Sequence, residues 1–246
     1  MAGMITQFRM RLDTAGTALT ASDAYRLYAA LLELAPADFG EQVHEGAITP
    51  ISQHLRYDGG RSIWTVNLLG ETAETALAPA LARCETLQLH ALNTRLRITE
   101  RRERHLADAD ALFAAAAHRE AETRLRFVTP TVFKSRGTYV LLPSTRLILQ
   151  SLMKTWNGVF PDCPIEDEDG EGLAAMAEGL RVSAFSLRDS RFRMKGQSIP
   201  GFVGSITLEN RLGGFHRQLA DALLYLAPYT GVGAKTTLGM GGVEPG

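Results

Sequence analysis

Met4-Ile5-Thr6-Gln7-Phe8-Arg9-Met10-Arg11-Leu12-Asp13 alternates Phe8, Met10 and Leu12 with Arg9, Arg11 and Asp13. A period of two puts the apolar set on one face, the pattern of a half-buried strand. Ser22 then stands as an N-cap, and Tyr25, Tyr28, Leu32 and Ala35 follow at helical spacing up to Pro36. Ala47 to His54 reads as extended and Asp58-Gly59-Gly60 as a turn. Ser62 to Leu69 reads as a strand through Trp64, Val66 and Leu68. Glu71 to Cys84 reads as a helix with Leu77 and Leu81 four apart, and Leu96 and Ile98 alternate with Arg95, Arg97 and Thr99 in a closing strand. The order is βαββαβ.

The second half repeats it. Leu125 and Phe127 alternate with Arg124 and Arg126, and Tyr139 to Leu142 is extended after Gly137. Pro143-Ser144 opens a helix with Ile148, Leu152 and Trp156 on one stripe. Leu180 to Met194 and Phe202 to Leu208 read as strands, separated by Gly196 and Pro200-Gly201. Gly213-Gly214 precedes a helix through Phe215, Leu219, Leu223 and Leu226 that stops at Pro228, and a short strand closes the chain. Two such units, over 1–122 and 123–246, make an α+β chain of tandem ferredoxin-like (RRM-like) domains. A sheet of this kind commonly keeps one face open, and that face carries RNA in the RRM.

The 246 residues are 45% apolar and carry a net charge of −1. No run approaches the roughly 18 apolar residues of a membrane helix, and the amino-terminal residues lack the apolar core of a signal peptide. The expectation is a cytoplasmic protein. Cys84 and Cys163 stand alone, without disulfide or metal spacing. No cofactor and no metal site are expected, and the acidic residues from Asp162 to Glu171 read as a flexible surface loop. The near-zero charge hides a division. From Thr123 to Phe160 there are six basic residues and no acid, and from Asp162 to Glu171 six acids and no base. One face can therefore be strongly positive. Arginine outnumbers lysine, and its planar fork suits phosphate and base stacking.

Near the carboxy terminus, Gly231-Val232-Gly233-Ala234-Lys235-Thr236-Thr237-Leu238-Gly239-Met240-Gly241 pairs two Gly-x-Gly units around one lysine. It is not a phosphate loop, because Ala234 precedes Lys235 and too few residues follow for a helix. Nor does it open a strand-helix-strand unit, as a dinucleotide fingerprint must. The glycines point to a loop lying against an extended anionic or planar ligand.

These residues together resemble the CRISPR repeat-processing endoribonucleases of the RAMP superfamily. The likeness runs through Leu125-Arg126-Phe127-Val128-Thr129-Pro130-Thr131-Val132-Phe133, Leu142-Pro143-Ser144, Leu149-Gln150-Ser151-Leu152 and Trp156-Asn157. It continues through Arg193-Met194-Lys195-Gly196, Ile199-Pro200-Gly201-Phe202-Val203-Gly204 and the glycine loop, covering roughly 120 residues in order. The first half matches more loosely, at Val43-His44-Glu45 and Thr49-Pro50-Ile51-Ser52. The resemblance implies a tandem ferredoxin-like fold, binding of repeat RNA, and metal-independent cleavage to a 2′,3′-cyclic phosphate and a 5′-hydroxyl. It leaves open a non-catalytic RAMP subunit that holds guide RNA beside other effector-complex proteins, and a homodimer.

Attack by a 2′-hydroxyl needs that hydroxyl deprotonated, the leaving 5′-oxygen protonated and a charged phosphorane stabilised. Histidine suits the proton transfers, with an unperturbed pKa of about 6.5. Of the six histidines, His105 and His118 lie in a charged, solvated stretch, His216 begins a helix, and His90 sits near a turn as a structural residue. His44 follows the first helix in a Gly- and Pro-punctuated segment and falls where the family's catalytic histidine falls. His54 is the reserve, on the next extended segment and able to face the same cleft. Some family members add a tyrosine on the first helix, where Tyr28 stands here, and a lysine soon after the histidine. No lysine precedes Lys134 in this chain, so Arg56, Lys134 or Arg136 would supply that charge. Arg191, Arg193, Lys195 and Lys235 are expected on RNA phosphates, beside Gly231, Gly233, Gly239 and Gly241.

Overall fold

The computed structural model describes residues 4–37, 39–40, 49–117 and 122–246. In the first half they form β1 (Ile5–Asp13), α1 (Ala24–Leu32), β2 (Ile51–Asp58), β3 (Arg61–Leu69), α2 (Glu71–Arg83), β4 (Thr86–Leu89) and β5 (Thr94–Leu106). Then follow α3 (Ala109–Ala116), β6 (Glu122–Thr131), β7 (Phe133–Ser135), β8 (Thr138–Val140), α4 (Thr145–Val159) and α5 (Glu171–Gly179). The chain ends with β9 (Leu180–Met194), β10 (Gln197–Asn210), α6 (Gly214–Thr230) and β11 (Val243–Pro245).

The strands order as β2-β3-β1-β5-β4 in one sheet and β11-β6-β10-β9 in another. In both, the first strand of the unit lies between the third and the last, all antiparallel. This is the tandem ferredoxin-like, α+β architecture. Phe8, Met10 and Leu12 share one buried cluster with Ala24, Leu27 and Leu31 of α1 and Leu77 and Leu81 of α2, as the period-two pattern requires. In the second unit Leu125 and Phe127 meet Ile148, Leu152 and Trp156 of α4 and Leu219 and Leu223 of α6.

Several local expectations give way to tertiary contacts. Ser22 does not cap α1. Thr20 and Asp23 close a capping box instead, and the Ser22 hydroxyl accepts from the Arg193 backbone N–H at 2.9 Å. β5 runs on past Ile98 because it pairs with the whole of β1. The short β4, α3 and α5 escape the periodicity reading. α3 sends Leu112 and Ala116 into the second unit's core. His90 is exposed rather than built in, with Glu33 3.5 Å from its ring. The acidic segment is not loose throughout, since Asp167 accepts from the Gly172 and Leu173 N–H groups at the start of α5.

The α6 helix also continues through Pro228 to Thr230. Its free terminal carbonyls find donors on the first sheet: Ser52 Oγ donates to Tyr229 O at 2.7 Å and Gln7 Nε2 to Pro228 O at 3.3 Å. Helix ends leave such carbonyls without partners of their own, so the contact both satisfies α6 and docks the two units. Consequently the first sheet's second face is not open over its centre. It receives α6 and β11, which is why polar Ser52, His54, Thr65 and Asn67 are buried there.

Three hairpins turn in two residues of positive φ: Gly59-Gly60, Arg136-Gly137 and Lys195-Gly196. This is the turn whose twist matches paired strands. Two of them carry an exposed basic residue at the tip.

Candidate active site

The carboxy-terminal loop is held from both units. Gly233 N–H donates to Ser151 Oγ of α4 at 2.8 Å, and Ala234 N–H to Val132 O at 2.8 Å. From the other side Gln53 Nε2 donates to Thr237 O at 3.0 Å and to Ala24 O at 2.9 Å. Its Oε1 accepts from Trp64 Nε1 at 2.9 Å. Thr237 Oγ1 donates to Ile51 O at 3.1 Å. Met240 anchors the loop in a small cluster with Val132, Phe192 and Ile199.

All four glycines singled out have positive φ, and the surface they approach is protein. A Cβ on Gly233 would lie 2.5 Å from Val132 O, and one on Gly231 2.9 Å from Gly241 O. Gly231, Gly239 and Gly241 are buried. The glycines thus build the loop, and what the loop presents outward is Ala234 to Leu238.

That segment forms one wall of a cleft of about 930 Å³ between the units. Tyr28 and Thr49 line it from the first unit, and Lys134, Ser151 and Lys154 from the second, with Lys235 from the loop. Three of the chain's four lysines therefore converge here. Among the described residues no carboxylate lines the cleft. Burial raises the Tyr28 hydroxyl above its ordinary pKa, so it keeps its proton and can donate it. Lys154 was not singled out in the sequence. Its signal was present, since Gln150, Ser151 and Lys154 form the polar flank of a helix whose other stripe is Ile148, Leu152 and Trp156.

Arg136 stands at the tip of the β7–β8 hairpin, two residues beyond Lys134. Arg191, Arg193 and Lys195 are exposed on β9 and its turn, outside the cleft lining. Phe192 between the two arginines is buried in the cluster that holds Met240. Alternation along the strand therefore turns both arginines to the other face.

His44 lies outside the described residues, as does His118. His54 does not share the cleft with Tyr28. Gln53 faces the loop, so its neighbour on the strand faces the opposite side, in a cavity of about 220 Å³ with Arg9, Arg104, Tyr229 and Glu244. Burial pushes the His54 pKa down to about 4, with nearby Glu244 opposing the shift and Arg56 and Arg9 adding to it. Its Nε2 is buried and has no hydrogen-bond partner among the described residues. The arginines around it converge on one carboxylate: Glu244 accepts from Arg56 Nε at 2.6 Å and from Arg126, with Arg9 at 3.7 Å. Arg56 is thereby engaged on the face away from the lysines. Among the described residues no group of His, Cys, Asp or Glu side chains is placed to hold a metal ion, and no helix is long and apolar enough to cross a membrane.

Residues 125–243 match the family model described as CRISPR-associated endoribonuclease Cas6. The Streptococcus thermophilus protein of that name is 30% identical over 223 residues, covering 90% of each chain. The chain belongs to the Cas6 family. It is accordingly an endoribonuclease, which decides between the enzyme and the non-catalytic subunit. The Cas6 of Mycobacterium tuberculosis (strain H37Rv) is 28% identical over 222 residues, covering 89% of this chain and 70% of that one. Among solved structures, a Cas6 product complex superposes with a TM-score of 0.78 at 25% identity over 99% of both chains. Thermus thermophilus Cas6 does so with a TM-score of 0.69 at 28% identity, over 100% of this chain and 99% of that one.

Proposed function

We propose that the lysine cleft binds CRISPR repeat RNA and that the enzyme cuts precursor CRISPR RNA within it, using the substrate's own 2′-hydroxyl. The observation that carries this reading is the convergence of Lys134, Lys154 and Lys235 on Tyr28, with no carboxylate among the described residues of the lining. Such a surface attracts a phosphate backbone and stabilises charge that builds on phosphorus. A Cas6 relative that superposes over 99% of both chains was solved as a product complex, which supports catalysis on this scaffold.

In this reading the unit 1–122 brings the proton-transfer groups and the unit 123–246 the positive charge. His44 accepts the 2′-hydroxyl proton, the 2′-oxygen bonds to phosphorus, and the bond from phosphorus to the 5′-oxygen breaks. Tyr28, still protonated, is placed to donate to a phosphoryl or leaving oxygen. The products are a 2′,3′-cyclic phosphate and a 5′-hydroxyl. Thr49, five residues beyond His44 in sequence, stands in the cleft wall. His54, buried and neutral in a different cavity, has no step in this scheme.

The test is a repeat RNA with one deoxynucleotide immediately upstream of the cut, assayed with and without excess EDTA. The ribo substrate is cut in EDTA, and the deoxy substrate binds but is not cut. Normal cutting of the deoxy substrate, or loss of activity in EDTA, overturns the 2′-hydroxyl mechanism.

A further inference from the structure

A second concave surface, chemically the opposite of the first, lies on the helical side of the second unit. Lys154 of α4 lines the lysine cleft, whereas Trp156, roughly 200° further around the helix, lines a groove of about 280 Å³. Phe113 of α3, Met176 of α5 and Phe215 of α6 complete its apolar wall. Phe215 is 65% exposed. Residues 163–167 form the rim.

The groove has fixed walls. Asn157 grips Ile165 by both backbone groups, accepting from its N–H at 2.8 Å and donating to its carbonyl at 3.0 Å. Trp156 Nε1 donates to Cys163 O at 2.8 Å, and Asp167 ties the rim to the start of α5. The acidic segment is thus held beside an apolar opening. Glu166 and Asp167 stand on that rim, within a stretch, residues 162–171, of six acids and no base, a charge opposite to that of the lysine cleft.

We infer that this groove docks a cationic amphipathic segment of a partner protein. An apolar side chain seats against Phe215, and flanking lysines or arginines meet the acidic rim. Charge complementarity selects the partner's sign, and the apolar wall demands an anchor that charge alone does not provide. The two methionines in the wall, Met153 and Met176, suit a surface that adapts to an inserted helix or strand.

The probe is a lysine-rich peptide of about 15 residues, long enough for a helix, with leucines at i, i+3, i+4 and i+7. Controls replace the leucines by serine, or the lysines by glutamate. Cys163 is exposed at the rim and Cys84 is partly covered, so in a Cys84→Ser background a thiol reagent reads occupancy of the groove directly. The leucine–lysine peptide slows the reaction of Cys163 saturably. Phe215→Ser, and separately Glu166→Lys, weaken that protection at least about tenfold while repeat cleavage is unchanged. Equal protection by the serine peptide, or undiminished protection in Phe215→Ser, overturns the inference. Concentration-dependent protection of Cys163 without any peptide, removed by Phe215→Ser, assigns the groove to a second copy of this chain and overturns the separate partner.

Discussion

Gly239 of the carboxy-terminal loop rests on Ala24, the first residue of α1, and a Cβ built on the glycine would overlap the alanine methyl. Tyr28 lies one turn along the same flank of α1, so this contact sets how near the loop that carries Lys235 comes to the tyrosine. The backbone at Gly239 has φ +107°, a region that L side chains rarely adopt. Gly239→Ala therefore meets both strain and overlap. It is expected to lower stability by about 2 kcal/mol or more, or about 4–8 °C in Tm for a chain of this size, and to reduce cleavage. Gly213→Ala, where φ is −117° and a Cβ meets nothing within 4 Å, is the control and loses at most the roughly 1 kcal/mol by which glycine outranks alanine as an N-cap. Calorimetry on the two variants checks the difference.

Replacing His44 with alanine is expected to slow cleavage at least about 10²-fold, the lower range for a lost general acid or base. Repeat binding changes little. Single-turnover kinetics and a binding titration separate the two effects. Unaltered cleavage would take the proton transfers away from His44.

Lys134→Ala, Lys154→Ala and Lys235→Ala each remove a charge from the cleft, and Lys195→Ala one from the β9–β10 turn. Each lost phosphate contact lowers the slope of log affinity against log salt by about 0.7 for a single strand. Titrations at several salt concentrations read the slopes one variant at a time. Wild-type slopes in all four would place the RNA on another surface.

The buried His54 makes stability depend on pH. Its folded pKa, about 4, lies below the ordinary value of 6.5, so between those values the unfolded chain holds one more proton. Stability from this group is complete above about pH 6.5 and declines as pH falls toward 4, by roughly 3 kcal/mol over the interval. His54→Phe should flatten that part of the denaturation profile. Cleavage at neutral pH should survive wherever the variant is folded, because His54 lies outside the cleft. A profile of unchanged slope would show that another group carries the dependence.

Legibility followed the range of the forces. Strand β1, helix α4 and strand β10 were readable because each buries one face, and a repeat of two or of 3.6 records that locally. Strand β4 and helices α3 and α5 are short, and their placement comes from contacts with distant elements. Pro228 reads as a helix stop by local chemistry, yet α6 passes through it because Ser52 and Gln7 satisfy the carbonyls at its end.

The site divides the same way. The basic run in residues 123–160, the lone Lys235 and the glycine loop around it were visible as composition and spacing. That Lys134, Lys154 and Lys235 meet Tyr28 in one cleft was not, since these residues are far apart in the chain. The glycines themselves invited a ligand, and the folded chain gives them Val132 and Ala24 instead. His54 follows Gln53 by one residue, and a strand turns successive side chains to opposite faces. The sequence alone determined which residue types and local periods were available, because these depend on neighbours a few residues apart. Only the packing of one sheet against the end of α6 decided which face of β2 meets the loop and which is sealed around His54, because that choice depends on contacts more than 170 residues apart.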